Sequence, residues 1–296
     1  MSCTWKVRAA LVATTLFALV TTAAEAFEIA QPVPNTDRTA CVDVKGDDTA
    51  QNTPVLAYYC SGAPNEQWSL LPDGRLQGVG TANGVDMCLT QIPNNPPPNS
   101  AMAVLENCAT KSFGANQWAI YPPSLTTATL INNDINGGTD HGYCLDSDGK
   151  YGAGAQIAAD QCGNSVASTN WVLKDVVIEQ PIPNSILNAC VDVRGSATAA
   201  HTPVDAYPCT LGANERWTYV NGQLVGIGAM CLGISGSKKI ELQTCNAKAM
   251  GQQWFIFNGL VSGSTGCLDT QGKFGGTQLV AGDCTSAIAD QTWILR

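Results

Sequence analysis

The sequence has little charge, and most of that charge is of one sign. Its 296 residues include 15 Lys and Arg against 24 Asp and Glu, and no basic cluster occurs along the chain. Nucleic acids and anionic membranes attract proteins through clustered Lys and Arg, so neither is expected as a partner. Beyond residue 20 no apolar run reaches the roughly 18 residues of a spanning helix, so no membrane insertion is expected.

Several patterns that carry metal or catalytic chemistry are also missing. The only two histidines, His141 and His201, lie in distant parts of the chain, which argues against a His-based triad or zinc site. No Cys-x-x-Cys spacing occurs, so a metal cluster is not expected. The segment from Asn132 to Gly137 matches a calcium loop only in part, because Tyr143 stands where the bidentate Glu belongs. We therefore expect no metal, no cofactor and no catalytic residues.

Residues 1–26 have the pattern of a cleavable signal peptide. Lys6 and Arg8 precede the apolar run Ala9–Val20, and Ala-Glu-Ala at 24–26 matches a cleavage site. The mature protein is therefore expected to be secreted or periplasmic. Cleavage removes Cys3 from the 13 cysteines and leaves an even number, as expected where disulfides persist.

The rest of the chain is an internal duplication. The pentapeptide ACVDV occurs at 40–44 and again at 189–193, and a shift of 149 residues aligns the sequences around both copies without a gap. A self-similar chain of this kind indicates tandem domains. We predict one domain over 27–175 and a second over 176–296.

Each half contains three shorter repeats. Every repeat has a cysteine, a second cysteine 14 to 20 residues later, and a tryptophan 8 to 10 residues after that. Pairing within each repeat is the only connectivity that treats all six repeats alike, and each closed loop is worth roughly 3 kcal/mol in the chain-entropy description. The predicted disulfides are Cys41–Cys60, Cys88–Cys108, Cys144–Cys162, Cys190–Cys209, Cys231–Cys245 and Cys267–Cys284. The corresponding tryptophans are Trp68, Trp118, Trp171, Trp217, Trp254 and Trp293.

Turn dipeptides between short apolar runs predict β-hairpins. Asp73-Gly74, Asn221-Gly222 and Asn258-Gly259 are examples, each flanked by apolar residues. No segment shows a sustained helical period. The fold is therefore predicted to be all-β, with short strands and many turns.

The repeats resemble the ricin B-chain type of β-trefoil lectin. Each ends in a Gln-x-Trp-like motif, which reads NEQW, ANQW, STNW, NERW, GQQW and DQTW in chain order. The resemblance covers essentially the whole mature chain. It implies two tandem β-trefoils, each a barrel capped by hairpins around a pseudo-threefold axis, with up to one sugar pocket per repeat. Within this fold the six tryptophans are interpreted as core residues.

The resemblance also implies which residues hold the sugar. In the family these are the Asp of Cys-x-Asp, an aromatic residue two positions before the second cysteine, and an Asn before the Gln-x-Trp motif. A carboxylate accepts hydrogen bonds from two sugar hydroxyls, and the apolar face of the sugar packs on the ring. Tyr stands here where the family often has Trp, and Leu56 replaces a frequent polar residue that Asp205 retains. The first repeat of each half keeps all three groups: Asp43, Tyr58 and Asn65, and Asp192, Tyr207 and Asn214.

The other repeats keep less of this set. In the third repeats the aromatic position holds Asp160 and Gly282, although Tyr151 and Phe274 offer rings from another direction. The weaker candidates there are Asp146, Asp269, Asp290 and Gln291. The middle repeats have Thr90 and Gly233 in place of the aspartate and are expected to be structural.

Two classes of function remain open. The first is a secreted, multivalent, non-enzymatic lectin that binds glycans, for which the resemblance implies galactose-type sugars. The second is a protein-interaction or targeting subunit of a secreted toxin or enzyme complex, with the sugar pockets as relics. A hydrolase is disfavoured because the carboxylates recur once per pocket, whereas a glycosidase needs two in one pocket.

Overall fold

A computed structural model describes residues 26–82, 85–93, 100–110, 116–122, 129–132, 143–150, 154–162, 168–285 and 288–296. The proposed signal peptide up to residue 25, His141, Tyr151 and most of the partial calcium-loop match lie outside these ranges. The described residues form strands joined by turns and short 3₁₀ segments. No helix among them is long and apolar enough to cross a membrane.

The first half of the described chain supplies twelve short strands. They are β1 (Phe27–Pro32), β2 (Thr39–Val44), β3 (Val55–Tyr59), β4 (Gln67–Leu70), β5 (Leu76–Ala82), β6 (Val85–Pro93), β7 (Ser100–Asn107), β8 (Trp118–Ile120), β9 (Leu130–Asn132), β10 (Tyr143–Asp146), β11 (Ala155–Gln156) and β12 (Ala158–Gln161).

The second half begins within a longer strand and continues in the same pattern. Its strands are β13 (Val172–Pro181), β14 (Asn188–Val193), β15 (Val204–Pro208), β16 (Arg216–Val220), β17 (Gln223–Val225), β18 (Cys231–Ile234), β19 (Ile240–Gln243), β20 (Phe255–Phe257), β21 (Leu260–Gly263), β22 (Gly266–Asp269), β23 (Thr277–Gln278), β24 (Val280–Gly282) and β25 (Ile294–Leu295).

The first repeat of each half uses its strands in two ways. In the first repeat β1 pairs with β4 in the barrel, while β2 pairs with β3 in a capping hairpin. The fourth repeat does the same, with β13 against β16 and β14 against β15. The first barrel closes where β13 returns to β1, pairing Leu173 with Ile29. The predicted all-β architecture of two tandem β-trefoils is confirmed.

Two of the predicted turn dipeptides form tight hairpins. Asn221 and Gly222 join β16 to β17, and both have positive φ, 50° and 81°. Asn258 and Gly259 join β20 to β21 with φ of 49° and 75°. Positive φ at both central positions is the geometry that matches the twist of the flanking strands, and Asn-Gly adopts it readily.

The six tryptophans of the repeats are buried in the core, with at most 2% of each side chain exposed. Each indole N–H donates to the backbone carbonyl of the residue between the cysteine and the aspartate position, at 2.9–3.1 Å. The acceptors, in chain order, are Val42, Leu89, Leu145, Val191, Leu232 and Leu268. Their interpretation as core residues is therefore confirmed.

All six predicted disulfides are present. Each links a strand of a capping hairpin to the end of that hairpin's second strand or the residues just after it. In the first repeat, for example, Cys41 lies in β2 and Cys60 follows β3. The bond therefore closes the hairpin that carries the aspartate position.

The two halves share strand β13. Its start pairs with β1, and its end pairs with β14 and β25. The predicted division between residues 175 and 176 falls inside this strand, at a bulge where Asp175 has φ 58°. Tyr121 also stacks on Phe255 across the two halves, with ring centroids 5.5 Å apart. A shared strand and a packed aromatic pair hold the halves together.

Glycines pack against the faces of several core tryptophans. A Cβ added at Gly226 would lie 2.7 Å from Cζ3 of Trp217, and one at Gly78 would lie 3.1 Å from Cζ3 of Trp68. Neither glycine has positive φ, so the requirement is for space rather than for backbone freedom. The backbone at these two glycines therefore approaches the ring too closely for a side chain.

We expect Gly226→Ala to destabilise the protein by about 1–3 kcal/mol, because the added methyl overpacks the Trp217 ring. The measurement is the denaturation midpoint followed by tryptophan fluorescence. Gly236→Ala is the matched control, since Gly236 is exposed and a Cβ there meets no atom within 4 Å. Equal midpoints for the two variants would contradict the close-packing explanation.

Candidate functional site

The first candidate pocket is built from β2, β3 and a short 3₁₀ turn at Pro64–Glu66. Antiparallel pairing places Tyr58 opposite Cys41 and Leu56 opposite Asp43. Opposed residues, and residues two apart on a strand, project to the same face of a sheet. Asp43, Leu56 and Tyr58 therefore share one face, and the turn brings Asn65 to it.

Asn65 fixes the carboxylate of Asp43. Its Nδ2 donates to Asp43 Oδ2 at 2.9 Å and to the carbonyl of Val44 at 3.0 Å. Asp43 is 7% exposed, whereas the neighbouring Tyr58 is 46% exposed. A recessed, oriented carboxylate thus lies beside an aromatic ring that is open to solvent.

The second half repeats this arrangement. Asn214 Nδ2 donates to Asp192 Oδ2 at 2.5 Å, and Asp192 is 6% exposed. Tyr207, opposite Cys190 in the β14–β15 pairing, is 45% exposed. All six residues singled out from the sequence are thus brought together as two equivalent sets.

A buried glutamate lies behind each of these carboxylates, at the first position of the Gln-x-Trp motif. Glu66 accepts hydrogen bonds from the backbone N–H groups of Ser61 and Gly62 at 2.7–3.0 Å. Glu215 accepts equivalent bonds from Thr210 and Leu211. The sequence motif alone shows that Glu replaces Gln at this position. The effect of the glutamate on the neighbouring aspartate becomes evident only from their proximity in the structure.

Burial and nearby acids raise the pKa of both pocket aspartates. Burial is the largest cause for Asp43, and the negative charges of Glu66 and Asp47 add to it. Together they raise the pKa of Asp43 to about 6, although the hydrogen bond from Asn65 acts to lower it. For Asp192, burial and its interaction with Glu215 raise the pKa to about 7, with a smaller contribution from Asp205. Both carboxylates therefore change charge near neutral pH.

The two pockets differ beside the aspartate. In the second pocket Asp205 lies opposite Asp192 and is bound by Arg194 through two hydrogen bonds, of 2.7 and 2.8 Å. In the first pocket the position opposite Asp43 is Leu56. The sequence showed this difference in polarity, but it did not show the ion pair.

The weaker candidates in the third repeats have other partners. Asp146 Oδ1 accepts from the backbone N–H of Asp148 at 2.6 Å, and Asp269 Oδ2 accepts from Gln291 Nε2 at 2.8 Å. A Cβ added at Gly282, the aromatic position, would lie 2.3 Å from Asp269 Oδ2. Asp290, at the amide position, uses its backbone carbonyl to accept from the N–H of Thr270. No aromatic ring stands at Gly282, and the Asp269 carboxylate fills part of that space.

The segment around Phe274 packs beside the first-repeat pocket. The N–H groups of Gly275 and Gly276 donate to the carbonyl of Ala206 in β15. A Cβ on Gly276 would lie 3.6 Å from the Tyr207 ring. Phe274 itself packs against the hydrophobic core. This segment, in the third repeat of the second half, therefore forms one side of the pocket in the first repeat of the same half.

The middle repeat of the second half has no room at its aspartate position. A Cβ on Gly233 would lie 2.4 Å from the side chain of Gln243, which stands at the aromatic position. Gln243 in turn accepts a hydrogen bond from Gln252 at 3.1 Å. Two amides therefore occupy the space that the complete repeats leave for a carboxylate and a ring.

Two glutamates approach cysteine sulfurs, Glu28 near Cys41–Cys60 and Glu179 near Cys190–Cys209. The sulfurs in both groups are joined in disulfides, so they present no thiolate to a metal. The exposed His201 contacts Glu241 through Nδ1 at 2.9 Å.

The comparison with known protein families agrees with the fold. The sequence pattern described as "Ricin-type beta-trefoil lectin domain" matches residues 31–171 and 180–293. No curated protein matches the chain by sequence.

Several solved structures are similar at low identity. An agglutinin from Abrus precatorius is 18% identical, over 91% of this chain and 95% of that one, with a TM-score of 0.37. A non-toxic homologue of type II RIPs from Momordica charantia, in complex with α-methyl-D-galactoside, is 18% identical over 91% and 96%, with a TM-score of 0.35. The hemolytic lectin CEL-III is 19% identical over 90% of this chain and 63% of that one, with a TM-score of 0.33.

The family match covers both halves and includes both Asp, Tyr and Asn sets. Domains of this family bind carbohydrate and are not catalytic, which supports a carbohydrate-binding role. The protein belongs to the ricin-type β-trefoil lectin domain family.

Proposed function

We propose that the protein is a secreted, multivalent lectin that binds one glycan residue in the first repeat of each half. One observation carries the proposal: an amide-oriented, recessed carboxylate lies beside an exposed tyrosine, in both halves. The binding residues are Asp43, Tyr58 and Asn65 in the first pocket. Asp192, Tyr207 and Asn214 form the second.

The chemistry of each pocket suits a sugar. The ionised aspartate accepts hydrogen bonds from two neighbouring hydroxyls, and the apolar C–H face of the ring packs on the tyrosine. The bond from Asn65 to Asp43 holds the carboxylate in place before the ligand arrives, which reduces the ordering cost of binding. Galactosides are the first ligands to test, because the family resemblance implies them.

The two pockets would act together on a multivalent surface. Strand β13 pairs with strands of both halves, and Tyr121 stacks on Phe255 between them. Such contacts hold the pockets at a fixed separation. Two weak sites on one body can gain roughly 10² to 10⁴-fold in apparent affinity when both engage one surface.

Export of the protein is part of the proposal. The signal-peptide pattern of residues 1–26 supports it, and so do the six disulfides, since such bonds persist in oxidising compartments. A mature chain that begins at Phe27 is the expected product.

A second candidate function is a protein-interaction or targeting subunit, and one surface feature favours it. The turn between β13 and β14 exposes Ile186 fully and Leu187 by about half (52%). The equivalent turn in the first half carries Asp37 and Arg38. Exposed apolar side chains at one turn tip are a feature of contact surfaces.

We expect Asp43→Ala to weaken sugar binding in the first pocket about a hundredfold, because two hydrogen bonds to a charged group, each worth about 1.5 kcal/mol, are lost. Asp192→Ala should do the same in the second pocket, and the double variant should bind no glycan. Titration with a monovalent sugar measures the affinity of the single pockets, and binding to a glycan-coated surface measures the combined affinity of both.

Each single variant should keep one site of unchanged monovalent affinity while losing much more than half of its surface affinity. Asp269→Ala is the matched control, because this aspartate has the same place in its repeat but no tyrosine beside it. Equal glycan binding by wild type and the double variant would exclude these pockets.

We expect glycan binding to fall as the pH drops through about 7 and then about 6, because Asp192 and Asp43 become neutral in turn. Their folded-state pKa values lie above the ordinary 3.8, so the folded protein takes up these protons before the unfolded chain does. Their contribution to stability is full below 3.8 and is lost as the pH rises through about 6 and 7. Binding should therefore be lost at pH 5 without unfolding.

Glu66→Gln and Glu215→Gln test the cause of that pH dependence. Each removes a negative charge, and Gln at this position can donate to the pocket carboxylate, as Gln291 does to Asp269 at 2.8 Å. Both changes lower the aspartate pKa, so binding by these variants should persist to more acidic pH. A pH profile that does not move would show that the glutamates have no such effect.

The second candidate function is tested by copying the first half's turn onto the second, as Ile186→Asp with Leu187→Arg. If the protein is a targeting subunit, a stoichiometric protein partner should bind the wild type in excess free sugar and not this variant. Glycan binding should be the same for both. The absence of any sugar-insensitive partner would reject this function.

A further inference from the structure

The first-repeat pockets share their aspartate, tyrosine and asparagine but differ at several surrounding positions, and two of these positions interact with each other in the second half. The 149-residue shift aligns Lys45 with Arg194 and Leu56 with Asp205. The first half therefore has a lysine and a leucine at these two positions, and the second half has an arginine and an aspartate. This pair is a place where the pockets can differ in what they recognise.

Both members of the pair adjoin the pocket. Asp205 is opposite Asp192 in the β14–β15 pairing and two residues before Tyr207 on the same strand. Its side chain therefore projects to the same face as the carboxylate and the ring. Arg194 follows β14 directly and reaches back to Asp205.

The second pocket holds an oriented guanidinium at this place. Arg194 donates from Nε and Nη2 to the two oxygens of Asp205, and Nη2 also lies 3.4 Å from the carbonyl of Gly276. Asp205 is 4% exposed, whereas the Arg194 side chain is 51% exposed. Nη1 makes no hydrogen bond to any residue that the structure describes. The guanidinium therefore offers two free N–H donors beside Gly276, the residue whose added Cβ would lie 3.6 Å from the Tyr207 ring.

The first pocket presents an apolar surface at the same place. Leu56 is half-buried opposite Asp43, and its Cδ1 would lie 3.6 Å from a Cβ on Gly154. Lys45 is exposed and forms no ion pair within the described part of the chain. Without a carboxylate to orient it, this flexible ammonium does not take the place of the fixed guanidinium.

We propose that the two pockets select different sugars, with Leu56 and the Arg194–Asp205 pair as the specificity-determining residues. This inference rests on the proposed lectin function. The second pocket takes a sugar that presents an oxygen acceptor to Arg194, such as a hydroxyl or a carboxylate. The first takes a sugar that places an apolar group against Leu56, such as the methyl of a deoxysugar or of an acetamido group.

The physical basis is the cost of a mismatched group. A methyl placed against Arg194 gains no hydrogen bond and displaces water from a charged group. A hydroxyl placed against Leu56 loses water without gaining a partner. Each mismatch should weaken binding about tenfold, the effect of one hydrogen bond to a charged group.

The test uses single-pocket proteins, in which Asp192→Ala leaves the first pocket and Asp43→Ala leaves the second. Each is applied to an array that carries hexosides beside their deoxy, N-acetyl and uronate analogues. We expect the first pocket to prefer deoxy or N-acetyl members by about tenfold, and the second to prefer the hydroxylated or acidic members by a similar factor.

The pair is then exchanged between pockets. Arg194→Lys with Asp205→Leu, made in the Asp43→Ala background, gives the second pocket the residues of the first. Lys45→Arg with Leu56→Asp, made in the Asp192→Ala background, does the reverse. The exchange is made in pairs because loss of Arg194 alone would leave the buried Asp205 unpaired. Both exchanges copy a combination that the same fold already holds.

The expected result is that each exchange transfers the preference of the donor pocket. Identical profiles for the two single-pocket proteins, or profiles that the exchanges leave unchanged, would overturn the inference while leaving the lectin function intact. If the wild type binds no sugar on the array, the proposed function fails and the inference fails with it. Circular dichroism of the exchanged proteins distinguishes a changed pocket from an unfolded one.

Discussion

The hydrogen bond from each core indole to the middle carbonyl of Cys-x-Asp is the interaction on which the other features depend. It recurs in all six repeats at 2.9–3.1 Å, between groups that are both buried. The residue whose carbonyl it uses precedes the aspartate position directly, so the bond sets how deep that position lies in the hairpin. The neighbouring cysteine is fixed at the same time, which lets the disulfide close on the second strand. In physical terms the tryptophan of one strand positions the carboxylate of another.

Because this framework does not require the aspartate itself, repeats can lose the pocket and keep the fold. Trp254 holds Leu232 in the same way although Gly233 follows it, and Gln243 fills the space above that glycine. Trp293 holds Leu268 while the Asp269 carboxylate leans toward Gly282, where a complete pocket has its ring. The indole bond thus recurs in all six repeats, whereas the full set of Asp, Tyr and Asn occurs in the first repeat of each half.

The sequence predicted the features that recur in every repeat, but it did not predict the contacts that depend on how the folded chain brings residues together. The periods of Cys and Trp were sufficient for the duplication and the disulfides, whereas the family resemblance implied the trefoil architecture, the buried rings and the grouping of Asp43 with Asn65. Periodicity did not show that β13 belongs to both barrels or that Gly226 faces Trp217, because both depend on the path of the folded chain. It also did not show that Arg194 binds Asp205, since a polar residue at one position does not reveal its partner.

The glutamates at positions 66 and 215 connect the framework with the binding chemistry. Where the fifth and sixth repeats have Gln252 and Gln291, an amide satisfies the N–H after the second cysteine and still has a donor to give. A glutamate satisfies the same backbone group but has no donor, so it leaves the adjacent aspartate more basic. This substitution disfavours the ionised form of the aspartate, yet it occurs in the two repeats that hold the full set of Asp, Tyr and Asn. Under the proposed lectin function the glutamate raises the pKa of the pocket carboxylate toward neutral pH, a property that the framework itself does not require.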